Sequence, residues 1–195
     1  MKRTSRLIAA IALASSTLAG TAVMAEHHKM AGHSKMSNPS VGGAAMAPTK
    51  TIVENASAAP NLTTLVAAVK AAGLVDTLAS PGPFTVFAPT NTAFEKLPAG
   101  TVGTLVKPEN KATLTKILTY HVVAGKLTST DIVGAIKNGG GSATLTTVAG
   151  EKLTARLSGN SVVITDGKGG QSAVTTVDVM QSNGVVHVID SVLLP

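Results

Sequence analysis

The sequence predicts an α+β fold, with helices over the first half of the folded part and a unit of short antiparallel strands over the second. Three observations carry that expectation. Apolar residues recur at helical spacing through much of 62–137. β-branched runs separated by turn residues fill 142–194. Aliphatic residues are abundant, whereas the aromatics are reduced to Phe84, Phe87, Phe94 and Tyr120, so the core is built from Val, Leu, Ile and Ala. Helices first and strands afterwards, on a chain of this length, give one mixed domain.

Three zones divide the chain. Residues 1–25 open on Lys2, Arg3 and Arg6, continue through the apolar run LIAAIALASSTLAG, and end at the small-residue site VMA before Glu26. That order is the pattern of a secretory signal peptide cleaved after Ala25, with an apolar run too short for a stable span. Its removal takes three basic residues and no acid, so the formal charge falls from +6 to +3. The expected location is secreted or periplasmic, with no membrane insertion after cleavage. No basic cluster points to nucleic acid. The chain lacks cysteine, so packing alone must hold a domain whose compartment would permit disulfides.

Residues 26–50 show no hydrophobic period, and their second half is rich in Gly, Pro, Ser and Ala. They read as a disordered linker. Within them His27, His28, Met30, His33 and Met36 alternate imidazole and thioether. Imidazole suits Cu(II), and thioether suits Cu(I) or Ag(I). Cleavage after Ala25 also places His28 third from a free amine, which completes a square-planar nitrogen set. The tail is a candidate copper or silver tether; incidental composition of a solvated segment explains it equally well. No other cofactor is required.

The folded part is expected over 51–195. APNLTTLVAAVKAAGL puts Leu62, Leu65, Val66 and Val69 at helical spacing, with Asn61 as N-cap and Gly73 as stop. Leu74, Val75 and Leu78 form a short helix closed by Pro81-Gly82-Pro83. FTVFA, 84–88, is a strand with phenylalanine on both faces and is therefore covered on both. NTAFEKL is a helix capped by Thr90 or Asn91, with Thr92 and Glu95 as a competing register. PENKATLTKILTYH is a helix opened by Pro108, with Leu114, Ile117, Leu118 and His121 on one stripe. A short helix over STDIVGAIKN and a GGG break precede SATLTTV, EKLTARL, NSVVITD, AVTTVDVMQ and VVHVIDSVLL, divided by Gly and Asn turns. The last of these reads as a central strand.

Catalytic sets are missing from this pattern. There is no G-x-S-x-G elbow, and the domain holds two histidines, His121 and His187, against the three or four ligands of a zinc site. Its carboxylates stand singly along the chain, with His187 and Asp190 on opposite faces of a regular strand. The glycine-rich stretches lead into strands rather than helices. A non-catalytic domain is expected.

TVFAPTNTAFEKLP at 85–98, ILTYHVVAGK at 117–126 and NGVVHVIDSVLLP at 183–195 resemble, in order and separation, the three signature segments of the fasciclin domain. The resemblance covers 51–195 and is nearest to single-domain secreted bacterial members. It implies a β-wedge of short antiparallel strands in two sheets with the N-terminal helices packed around it, no catalytic activity, and a role in cell adhesion through a protein, cell-surface or matrix partner. It also makes Tyr120, His121, Val122 and Val123 a candidate partner-binding segment. The residues themselves favour a structural role. His121 is expected to tie its helix end to the loop at Thr90 and Asn91, and His187 to be hydrogen-bonded in the core. Adhesion, metal handling by the tail, and binding of an apolar small ligand in the wedge are the three functions compatible with the chain.

Overall fold

A computed structural model describes residues 38–98 and 100–195. The expected signal peptide and the tail ligands His27, His28, Met30, His33 and Met36 lie outside the described residues. Among those described, the order is α1 (Ile52–Ala58), α2 (Thr63–Ala72), α3 (Val75–Ala79), β1 (Phe84–Pro89), α4 (Asn91–Glu95), α5 (Thr101–Leu105), a 3₁₀ turn (Pro108–Asn110), α6 (Lys111–Tyr120), β2 (Val122–Ala124), α7 (Ser129–Asn138), β3 (Ser142–Thr146), β4 (Lys152–Ser158), β5 (Ser161–Thr165), β6 (Gln171–Gln181) and β7 (Gly184–Ile189). The architecture is α+β, as the pattern of elements predicts.

The strands form one sheet in the order β2-β1-β7-β6-β5-β4-β3. Neighbours are antiparallel except β1 and β7, which run parallel in register from Phe84↔Gly184 to Pro89↔Ile189. The two expected sheets are thus joined through β6. Its first part pairs with β5 and its second with β7, and irregularities between Val174 and Val179 bend it from one to the other. The sheet nearly closes, because Val148 N–H donates to Val122 O at 2.7 Å and Val123 bridges Thr147. Closure removes exposed edges that would otherwise invite pairing with other chains.

Two apolar clusters fill the fold. One lies between the helices α1, α2 and α6 and the outer faces of β1 and β7, and includes Leu65, Val69, Val86, Leu118, Val186 and Val188. The other fills the wedge under α7, with Phe87, Tyr120, Ile132, Ile136, Leu153, Ile164 and Ile189. Strand β7 is buried along its whole length, as expected of a central strand covered on both sides. The helices among the described residues have at most ten residues, a length at which packing rather than propensity supplies stability.

Two sequence expectations need correction, and one helix is added. The linker expected over 26–50 is packed from Asn38 onward: Val41 and Met46 are buried in the first cluster. The Asn38 side chain pairs with both backbone groups of Met180, and Lys50 O accepts from Ser182 N–H at 2.9 Å. Two isolated apolar anchors in a Gly-Pro-Ala stretch carry no period, so the pattern hides them. Helix α1, a stretch to which the sequence pattern assigns no element, carries a capping box in which Thr51 and Glu54 bond each other's backbone N–H. Asn61 does not cap α2. Its side-chain oxygen is buried without a partner, and the cap comes from a distant residue, Asn91, whose Oδ1 accepts from Thr64 N–H at 3.0 Å.

Candidate functional site

The Tyr120–His121 pair forms where α6 ends and β2 begins. Leu114, Ile117 and Leu118 anchor the helix in the first cluster. Tyr120 turns the other way, into the wedge. Its hydroxyl accepts from Gly167 N–H at 2.9 Å and donates to Lys152 O at 3.3 Å. Burial pushes its phenol up, so it is a neutral spacer between the helix and the β4 and β5–β6 backbones.

His121 is buried, and both ring nitrogens are engaged. Nε2 accepts from Leu193 N–H at 3.0 Å, which leaves Nδ1 as the protonated nitrogen that donates to Ile117 O at 2.8 Å. Burial lowers its pKa to about 4. The imidazole therefore ties the α6 end to the C-terminal segment. It does not reach the loop at Thr90 and Asn91, as spacing suggested. Thr90 instead caps α4 through Ala93 N–H, while Asn91 donates to Pro60 O and caps α2. Next to Leu193, Leu194 N–H donates to Asp166 Oδ2 at 3.0 Å. His121 and Asp166 together fasten the end of the chain, and Leu193 fills the wedge core.

The candidate partner-binding segment requires correction for the same reason. Tyr120, His121, Val122 and Val123 are all buried, so none offers a side chain to a partner in this structure. The motif is a core splice between helix, strand and chain end.

A second polar cluster was invisible in the sequence. His187 stacks on Phe87 with ring centroids 5.7 Å apart. Its Nε2 donates to Leu127 O at 2.8 Å and its Nδ1 accepts from Asp178 N–H at 3.4 Å. Burial lowers the His187 pKa, so this ring too is neutral. Asp178 adopts a left-handed φ of 56° at the β6 irregularity. Its carboxylate accepts from Ser129 N–H at 2.6 Å and from the Ser129 hydroxyl. The residue types are those of a serine triad, but the connectivity is not. The serine bonds the carboxylate directly, and the imidazole spends both nitrogens on backbone, so no base faces the hydroxyl. The cluster instead places a carboxylate at the positive end of α7. A left-handed aspartate at a bulge has no spacing signature, and only the paired strands bring positions 129, 178 and 187 together.

Asn55, Gln181 and Asn183 form a third set. Asn183 donates to Leu78 O and Ser80 O and accepts from Ile52 N–H. Asn55 donates to Ala47 O and Gln181. These side chains lock α1 and α3 to the β6–β7 turn. Beside them, between α1, α2, α3 and β1, lies an apolar crevice of about 30 Å³ lined by Ile52, Val53, Leu65, Val69, Leu78 and Val86. Among the described residues no three His, Cys, Asp or Glu side chains converge on one point, and no helix is long and apolar enough to cross a membrane.

Comparison with known proteins accords with this geometry. The family model described as the fasciclin domain matches residues 60–195. Protein sll1483 of Synechocystis is 45% identical over 196 residues, covering 100% of this chain and 99% of its own. The cell surface glycolipoprotein MPB83 of Mycobacterium bovis is 37% identical over 161 residues, covering 80% of this chain and 64% of its own. In fold, the chain is similar to the FAS1 domain pair of the insect cell adhesion molecule fasciclin I, with a TM-score of 0.66 and 24% identity. That match covers 75% of this chain and spans about half, 51%, of the pair.

Proposed function

The chain belongs to the fasciclin domain family, and from that premise we propose that it is an exported, non-catalytic module of cell adhesion acting through its surface on a cell-surface or extracellular partner. One observation carries the reading: every buried histidine of the domain, and the serine and aspartate nearest to one, is spent on a structural hydrogen bond. The fold invests its polar chemistry in rigidity, which suits a module that presents surface. A relative at the cell surface and a fold neighbour in an adhesion molecule support the same assignment.

The test is retention. Beads coated with the mature chain should bind cells or envelope of the producing organism, and beads coated with residues 38–195 should bind equally. Coated beads retained no better than bare ones refute it.

A second reading rests on the His and Met spacing at 27–36. The tail would then bind copper or silver while the domain carries it. Deletion of 26–37 should abolish Cu(II) binding in calorimetry and leave adhesion intact; the deletion stops at 37 because Asn38, Val41 and Met46 belong to the packed body. The third function, an apolar ligand, is not favoured: the crevice of about 30 Å³ is far below the roughly 300 Å³ at which ligand pockets begin.

A further inference from the structure

The outer face of β3–β6 is the part of the sheet that no helix among the described residues covers. Leu145, Leu153, Ala155 and Ile164 point inward, so the alternate positions share the outer face. Strand register aligns these into rows. One row runs Thr144, Thr154, Thr165, Gln171 across four strands, and the next runs Ser142, Arg156, Val163, Ala173. Thr146 and Lys152 begin a third. None of these ten residues is buried. At about 4.8 Å between strands, the four-strand row is about 14 Å long, and Lys152 and Arg156 stand about 13 Å apart along β4 with Thr154 between them.

The charges on this face are of one sign. Lys152 and Arg156 are exposed, and neither takes part in the ion pairs found among the described residues. The carboxylates at its margins are already occupied: Glu151 by Lys116 at 2.8 Å, Asp190 by Lys96 at 3.2 Å, and Asp166 by the backbone N–H groups of Lys168, Gly170 and Leu194. What remains is a hydroxyl-bearing face with two cations and no acid of its own.

From this pattern we infer that the β3–β6 face binds an extended acidic polysaccharide, a polyuronate in chemical class. Threonine hydroxyls both donate and accept, which matches a ligand carrying hydroxyls and carboxylates together. Duplex DNA presents one charge per about 1.7 Å of axis, a far higher density than two cations about 13 Å apart can meet. The face also lacks the aromatic platforms on which exposed bases stack. Arg156 supplies a planar fork for one carboxylate and Lys152 a point charge for another. The inference rests on the adhesion reading and names the chemistry of its partner.

Alginate serves as the probe, with dextran as a neutral comparison and duplex DNA as the competing polyanion, each titrated against the full mature chain by biolayer interferometry. The chain should bind alginate, ignore dextran, and lose affinity with added salt. Lys152→Glu with Arg156→Glu should weaken binding roughly tenfold or more, from two contacts of order 0.7 kcal/mol each. Lys126→Glu with Lys137→Glu, an equal change of net charge elsewhere, should leave it unaltered. If the reversed pair disturbs the urea midpoint, Lys152→Gln with Arg156→Gln replaces it. Absence of alginate binding, equal loss in both double variants, or tighter binding to DNA overturns the inference. Cell retention of coated beads that survives the β4 substitutions overturns it as well and leaves the adhesion reading standing. Alginate binding without cell retention does the opposite.

Discussion

His121 should make the stability of this domain depend on pH through a single buried ring. Its folded pKa of about 4 lies below the ordinary 6.5, so between these values the unfolded chain binds a proton that the folded chain refuses. Stability is therefore complete above pH 6.5, falls as the pH drops toward 4, and is level with respect to this group below that. The structural cause is plain: Nε2 must accept from Leu193 N–H, and a protonated ring would set donor against donor. From pH 7 to 5 the group crosses 1.5 pH units below its unfolded pKa, or about 2 kcal/mol at 1.36 kcal/mol per unit. His187, also lowered by burial, contributes with the same sign, so wild type alone cannot isolate His121. The comparison with His121→Gln does. At pH 7 the variant should be less stable by about 1–3 kcal/mol through lost buried bonds. At pH 5 that deficit should shrink by about 2 kcal/mol, because only wild type still resists protonation there. The assay is urea denaturation followed by far-UV circular dichroism at each pH, with the midpoint and slope fitted together. A deficit unchanged from pH 7 to 5, or a His121 resonance titrating near 6.5, refutes the reasoning.

Other substitutions test neighbouring parts of the splice. Tyr120→Phe removes an acceptor for Gly167 N–H and a donor to Lys152 O, and should cost about 1–3 kcal/mol by thermal denaturation. Leu193→Ala opens a cavity in the wedge at a fully buried side chain; a loss of about 2–5 kcal/mol in urea is expected. Asn91→Ala removes the cap that α2 borrows, lowering stability by about 1 kcal/mol, and amide exchange should quicken first at Thr64. A chain starting at residue 51 loses the buried side chains of Val41 and Met46 and should fall short of the 38–195 chain by about 3–6 kcal/mol, at 1.5–3 kcal/mol per side chain.

The fold class, the central placement of β7 and the positions of most helices and strands were legible in the sequence, since period and turn residues are local properties. Phe84 and Phe87 on opposite faces sufficed to place β1 between two layers. The three motif segments identified the family because their residues form one splice, where β1, the α6 end and β7 meet. Other features depend on which side chain meets which backbone group across a hundred residues. Asn91 capping α2, His121 holding Leu193, and Asp178 meeting Ser129 have no sequence period, because a hydrogen bond records distance in space and not separation along the chain. The same holds for the outer face of β3–β6: alternation shows that its threonines point outward, but only strand register lines them into rows beside Arg156 and Lys152. The sequence by itself determined the layers and the family. Tertiary structure decided that the Tyr-His motif is buried, that Asn38, Val41 and Met46 belong to the packed body, and which surface is left for a partner, since burial and register are settled only when the strands pair.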